Sequence, residues 1–559
     1  MAMGLAERRA REALQRISGS SRPEAWISVR PEAELLREAF AADERLAAGE
    51  SLPLAGLVFA VKDNIDVEGL PTTAAHPAFS RLSLRSAPAV RALVAAGAIC
   101  AGKTNMDQFA TGLVGTRSPY GAVRHAFDED RISGGSSSGS AVVVANGEAD
   151  FALGTDTAGS GRVPAAFHGI VGVKPSLGIV ASDGMLPAAK PYDTVSVFAR
   201  ELSLAARVFQ TILADPVDEL FLSAPLAAPS RPLLAVPDPA GLEALCSEAA
   251  EAFTRAKDLL AAAGACFAEI DMAPFFSLAE LLYDSALVSE RSAAFGRAVR
   301  ADDDGWDPSV AAIAGQGMAY SAVDFIDARE RMTELSGECH RALARTAGLL
   351  LPTVSTHPTI AEVQADPLGV NRGLGRYTNF VNLMGLAAVA VPVPGAASRR
   401  FGVTLATPHG HDAVGLDLAS RLLGEPWALR ADIGHDIAVF GAHLRGQPAN
   451  AELEVLGARY LEDVSLPPRY RMVRLDTDPP KPGIEFSPEP SPGIQGELWR
   501  VPSARVARFL RALPEPMTLG PITLDDGRIV TGFGFRGGGA AHVDISGFRR
   551  WDAYLAGAG

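Results

Sequence analysis

The sequence predicts an α/β protein carrying a second, smaller α+β domain at its C-terminal end, on three observations. Between about Leu52 and Val197, short β-branched runs alternate with helical patterns in a Gly- and Ala-rich stretch, the texture of a sheet covered by helices. At 559 residues the chain is too long for one compact core. From about Asp436 onward the texture changes to short strands between Pro- and Gly-rich turns.

The elements follow in order. The N-terminal MAMGLAERRAREALQRISGS is charged and helical, with no apolar core of a secretory signal. LAGLVFAVKD, AICAGKTN and IVGVKPS read as strands, while APAVRALVAAG and SGSAVVVANGEADF read as helical in part. A mainly helical section runs from about Ala240 to Ala347, its apolar positions spaced for burial on one side. TAGLLLPTVS and GLAAVAVPVP then resume the strand pattern. FVNLMGLAAVAVPVPGAA is the most apolar late stretch, but Asn382, Pro392 and Pro394 mark it as a buried helix entering a strand. A turn, a helix and another turn between Pro408 and Gly434 suggest a boundary, giving domains 1–430 and 436–559. In the tail, RYRMVRL, GELWRVP and RIVTGFGF alternate with the turns TDPPKPG and EPSPG.

Composition excludes several classes. A net charge of −14 argues against a nucleic-acid or anionic-membrane partner, since either needs a basic face. It leaves room for a small anionic substrate, which needs only one or two local cations. Cys100, Cys246, Cys266 and Cys339 lie far apart with no CxxC, so neither a disulfide framework nor structural zinc is expected. Free thiols and a cytoplasmic location fit that usage, and no HExxH or Cys/His cluster calls for a metal.

Three motifs compete for the site. Gly97 to Thr104, GAICAGKT, matches the phosphate-loop pattern letter for letter. Such a loop needs a strand before it and a helix after it. Here VRALVAA before Gly97 is helical and AICAGK is the strand, so Gly97 reads as a helix C-cap. Gly135 to Gly139 spells GSSSG, a literal GxSxG centred on Ser137. The preceding DEDRISG is polar and loop-like, and His168, His340 and His357 follow in no acid-then-His order. Neither context supports its motif.

The third constellation comprises Lys62 in AVKDNID, the segment GGSSSGSA from Gly134, and GTDTAGSGRVPAAFHGIVGVKP from Gly154. Alone, a Lys after an apolar strand is a solvated strand end and a Ser/Gly-rich loop is a loop. In this order, and over roughly the first 420 residues, the blocks resemble the amidase-signature family. The resemblance implies a central mixed β-sheet flanked by helices and a catalytic triad without His. It places the Lys at Lys62, the bridging Ser in a cis peptide at Ser136, and the nucleophile at Ser160. The two serines are 24 positions apart, a spacing typical of that family.

The residue types suit the chemistry. A serine hydroxyl attacks only when a base takes its proton. Lys can be that base only when neutral, which requires desolvation, and the apolar LVFAV before Lys62 leads into a core. Ser136 then relays the proton. The resemblance assigns the oxyanion donors to the amides of Thr157, Ala158, Gly159 and Ser160. Ala158 stands where relatives often have Gly, so the turn there needs no positive φ.

Within that family, NMDQFATGLVGTRSPYG from Asn105 and GTDTAGSGRVPAAF are similar to the allophanate hydrolases. Their substrate is a urea carrying a carboxylate, so the resemblance implies a cation in the pocket. LLYDSALVSERSAAF offers Tyr283 and Arg291, eight positions apart and about 80° around one helix. The resemblance makes this pair the carboxylate reader, a task that suits an Arg fork. A solvated pair of Arg291 with Glu290 is the bland alternative, Arg117 is a competing cation, and Gly112 is expected to admit substrate close to backbone. The tail from Ile437 resembles the C-terminal domain of allophanate hydrolases, itself similar to the γ-glutamylcyclotransferase-like fold. By that resemblance the amidase domain releases ammonia and the tail assists decarboxylation of N-carboxycarbamate. His443 is the candidate there, as proton donor or anion site, or else it merely closes a strand end. The expected enzyme converts allophanate to ammonia and carbon dioxide without a cofactor, as a homodimer linked to urea carboxylase. The alternatives are a general amidase of other small amides and an ammonia-releasing component like those of the amidotransferases.

Overall fold

The computed structural model describes residues 3–214, 219–296, 305–536 and 542–557. The chain divides into two compact units, one formed by Met1–Val217 with Arg231–Leu429, the other by Asp218–Ser230 with Arg430–Gly559. The second unit therefore takes a short segment from the middle of the sequence. Leu226 N–H donates to the Gly457 carbonyl at 2.8 Å and Arg505 Nε to the Ser223 carbonyl at 2.8 Å, which ties that segment in place. Such a crossing leaves no mark in composition, which is why a single boundary was expected.

The first unit is built on an eleven-stranded mixed sheet. From edge to edge its strands are Trp26–Val29, Ile99–Thr104, Val58–Lys62, Phe151–Asp156, Thr194–Ala199, Val171–Lys174, Ala387–Val391, Val403–Thr407, Gly348–Pro352, Leu233–Pro237 and Cys266–Ile270. The inner strands are buried along their whole length, which is why they read as continuous apolar runs. Cys266–Ile270 lies at the edge and is partly exposed, with Glu269 among its residues. The helix Ser138–Ala145 carries Ala and Val on every face and is buried almost throughout, as a core helix must be. Two N-terminal helices, Leu5–Ser18 and Glu32–Ala47, cover the core with small residues; Ala6, Ala10 and Ala13 form the buried stripe of the first. Asp43 accepts the N–H groups of Ala6 and Glu7, capping the first turn.

Both rejected motifs find structural work. Gly97 has φ +92° between the helix Pro88–Ala95 and the strand Ile99–Thr104, a helix ending rather than a phosphate loop. Lys103 of that motif is buried against Asp63 at 3.1 Å. The long helical section is less regular than its pattern suggested. Helix Ala273–Asp284 stops at Ser285, a 3₁₀ turn covers Ala286–Val288, and one α turn at Ser289–Arg291 passes into a π turn at Ser292–Gly296. Tyr283 and Arg291 therefore do not share a continuous helix, and the expected 80° relation is replaced by a bend.

The second unit pairs a five-stranded sheet with a three-stranded one. The first has the order Arg459–Ser465, Gln495–Val501, His435–Val439, Ile529–Phe535, Met517–Thr523. Its own core gathers Ile437, Val439, Leu453, Leu498, Phe509 and Trp551, so it is an α+β body with separate packing. Among the described residues no helix is long and apolar enough to cross a membrane.

Candidate active site

Adjacent parallel strands create the site. Val58–Lys62 runs beside Phe151–Asp156 in parallel register, so both C-terminal ends open on the same side. Lys62 is the last residue of its strand and has no exposed surface. Its Nζ donates to Ser136 Oγ at 2.8 Å, Ser137 Oγ at 3.0 Å and Thr155 Oγ1 at 2.7 Å. Ser136 Oγ in turn donates to Ser160 Oγ at 2.9 Å, and the Gly135–Ser136 peptide is cis. Lys62, Ser136 and Ser160 thus form one unbroken proton path. Burial pulls the Lys62 pKa down to about 7, against the opposing pull of Asp107, Asp156 and Asp193. None of the three carboxylates reaches ion-pair distance, so the amine can be neutral near neutral pH. Ser137, centre of the GxSxG match, bonds the Thr155 carbonyl at 3.0 Å and serves as scaffold.

Two buried acids hold the serine loops. Asp107 accepts the N–H groups of Val114, Gly115 and Arg117, while its own N–H donates to the Ser136 carbonyl at 3.1 Å. A Cβ at Gly112 would lie 2.6 Å from Asp107 Oδ2, and one at Gly135 only 2.1 Å. Asp107 thus leaves no room for a side chain at Gly112 or Gly135. Asp156 accepts Gly159 N–H and Gly161 N–H at 2.9 Å each and forms a two-pronged, fully buried ion pair with Arg162. This alters the expected oxyanion set: Gly159 N–H is committed to Asp156. The amides of Thr157, Ala158 and Ser160 have no partner among the described residues and can turn to an oxyanion. Gly159, at φ +134°, has Thr378 Oγ1 2.4 Å from where a Cβ would sit, so no larger residue fits.

Tyr283 and Arg291 do meet. The Arg291 guanidinium stacks over the Tyr283 ring at 4.3 Å, a cation–π contact. Arg291 has 0% exposure, and among the described residues neither its three nitrogens nor Tyr283 Oη has a hydrogen-bond partner. The surface pair with Glu290 is absent among the described residues. A buried guanidinium whose donors find no partner among the described residues has the chemistry to hold an anion. Arg117, the competing cation, spends its Nη atoms on the carbonyls of Thr111 at 2.9 Å and Pro367 at 2.7 Å and is structural.

In the second unit, His443 lies past the end of the strand His435–Val439 rather than closing it. Its Nε2 bonds Glu452 Oε2 at 3.2 Å, and its ring stacks on Phe533 and meets Phe509 edge-on. Burial lowers its pKa, and Glu452 opposes that shift. His443, Glu452 and Lys481 are the ionisable groups lining a cavity of about 250 Å³ whose walls include Phe440, Phe509 and Phe533. Lys481 makes no ion pair among the described residues. Sequence reasoning missed it because TDPPKPG reads as a plain turn. No group of three or more His, Cys, Asp or Glu among the described residues is placed to hold a metal.

Comparisons with known proteins agree with this geometry. Residues 10–426 match the Amidase family model, and residues 435–556 match the model of the allophanate hydrolase C-terminal domain. A urea amidolyase of Saccharomyces cerevisiae is 36% identical over 95% of this chain and 31% of its own length. A urea amidolyase of Lachancea kluyveri is 37% identical over 92% of this chain and 30% of its own length. The chain thus spans about a third of the length of the curated relatives it matches first. Among solved structures, the allophanate hydrolase of Kluyveromyces lactis superposes with a TM-score of 0.85 at 32% identity, covering 99% of this chain and 97% of that one.

Proposed function

The chain belongs to the amidase family, and from that premise we propose that it hydrolyses allophanate to ammonia and carbon dioxide through Lys62, Ser136 and Ser160. The observation that carries the substrate is Arg291, buried against Tyr283 with no hydrogen-bond partner among the described residues. A neutral amide would leave that charge uncompensated, whereas a carboxylate satisfies its fork.

The chemistry follows from the proton path. Neutral Lys62 takes the proton of Ser136, which takes that of Ser160 as its Oγ bonds to the substrate's terminal carbonyl carbon. The amides of Thr157, Ala158 and Ser160 stabilise the oxyanion. The path then runs backward: the Lys62 ammonium returns the proton through Ser136 to the nitrogen, the C–N bond breaks, and ammonia leaves. Water attacks the acyl-enzyme by the same relay, freeing N-carboxycarbamate. Its decarboxylation falls to the second unit, where Lys481 offers a cation and His443 a proton. As carbon dioxide departs, the C–N electron pair stays on nitrogen and takes that proton, and the carbamate left breaks down to ammonia and a second carbon dioxide; the apolar walls favour this loss of charge.

The family match of residues 435–556 supports this reading over a general amidase or an ammonia-delivering component of a larger complex. The urea amidolyase relatives support urea as the upstream source, with a urea carboxylase supplying allophanate. The test is ammonia release from allophanate, malonamate and a plain aliphatic amide, by wild type and Ser160→Ala. Preference for the carboxylated amides, abolished by the substitution, is expected. Equal turnover of the plain amide removes the substrate assignment, and full activity in Ser160→Ala removes the triad.

A further inference from the structure

Asp193 is a buried carboxylate that the proton path does not use. It is 8% exposed and immediately precedes the strand Thr194–Ala199. Its Oδ1 accepts the Thr157 hydroxyl at 2.5 Å, and its Oδ2 accepts the N–H groups of Ala188 at 2.8 Å and Ala189 at 3.1 Å. The neighbouring Tyr192 carbonyl accepts Asn382 Nδ2 at 3.0 Å, and the same Nδ2 donates to the Asp156 carbonyl at 3.0 Å. The turn that presents the oxyanion amides is therefore pinned twice to this one segment, through the Thr157 side chain and through Asn382.

No cation touches Asp193 among the described residues, so its hydrogen bonds from Thr157, Ala188 and Ala189 are what hold it in place. We propose that Asp193 is a positioning residue: by accepting the Thr157 hydroxyl it fixes the turn whose amides meet the oxyanion. Its negative charge also favours the ammonium form of Lys62, which gives the experiment a second readout.

The experiment compares Thr157→Val, Thr157→Ser and Asp193→Asn with wild type on allophanate, malonamate and a neutral amide, recording kcat, KM and the pH profile. Thr157→Val removes the tether and keeps the charge. It should lower kcat about 10- to 100-fold on every substrate, the cost of misplacing a catalytic group by about an ångström, with KM unmoved. Thr157→Ser keeps the hydroxyl and should restore kcat. Asp193→Asn should lower kcat as well, and shift the acid limb of the profile to lower pH as Lys62 loses a stabilising negative charge. Wild-type kcat in Thr157→Val, or a loss that Thr157→Ser does not restore, overturns the tether. Should wild type prove indifferent to the carboxylate, the substrate assignment fails by itself, and the kcat of Thr157→Val still decides the tether.

Discussion

Replacing Arg291 with Met should damage activity and stabilise the protein, two effects of opposite sign from one cause. The guanidinium is wholly buried, its nitrogens have no hydrogen-bond partners among the described residues, and the face of Tyr283 lies against it. That face offsets about 0.5–2 kcal/mol, well short of the several kcal/mol needed to desolvate an ion. Exchanging a buried ion for an apolar side chain of similar volume stabilises by roughly 1–4 kcal/mol in comparable cases, so Tm should rise by a few degrees. A bidentate carboxylate loses two charge-assisted hydrogen bonds of about 1.5–3 kcal/mol each. The kcat/KM for allophanate should then fall by about 10²–10⁴-fold at 1.4 kcal/mol per decade. Ammonia release measures the first effect and calorimetry the second. A lower Tm together with near-wild-type kcat/KM on allophanate would refute the reasoning, because Arg291 would then be a structural residue with partners of its own.

Other expectations follow from the same geometry. The kcat/KM should rise with pH through an apparent pKa near 7, because Lys62 is a base only when neutral; a flat profile from pH 6 to 9 contradicts this. His168, at the end of the helix Val163–His168, stacks on His125, which meets His357 edge-on, and burial holds all three below their ordinary pKa, His357 at about 3. The unfolded chain therefore binds more protons below about pH 6.5, so stability should fall as pH drops from 6.5 toward 3, read by urea unfolding at stepped pH. Arg162→Met leaves Asp156 buried without its partner and should cost about 3–5 kcal/mol, with loss of activity even where the fold survives; unchanged unfolding midpoints would contradict it. His443→Ala in the full chain should leave the first ammonia release intact while slowing carbon dioxide release, and Lys481→Met should do the same; equal effects on both products would place neither residue in a separate step.

The chemistry was legible where it is local. A Lys closing an apolar strand, a run of Ser and Gly, and a TDTAGS turn are short patterns, and each reports residue types that a proton relay needs. The strands around them were legible too, since full burial on both faces forces continuous apolar runs. Pairings between distant segments were not. Asp193 shows no local signal for its bond to Thr157, and Thr378 none for its approach to Gly159, because both contacts depend on strands and loops far apart in sequence. Tyr283 and Arg291 lie between these cases: the two side chains do meet, but a helix assumed to continue through Ser285 gave the wrong geometry.

By itself, then, the sequence determined which side chains could do the work: a desolvated amine, two hydroxyls and an arginine. Only the tertiary structure decided what each one touches. Parallel pairing of Val58–Lys62 with Phe151–Asp156 brings the lysine to the serine loops, and burial converts an ordinary ammonium into a base. Past the bend after Asp284, Arg291 lies buried against Tyr283 with no hydrogen-bond partner among the described residues. Residue type is written locally, whereas desolvation and partnership depend on everything that packs around a group, and the chain acquires those only when it folds.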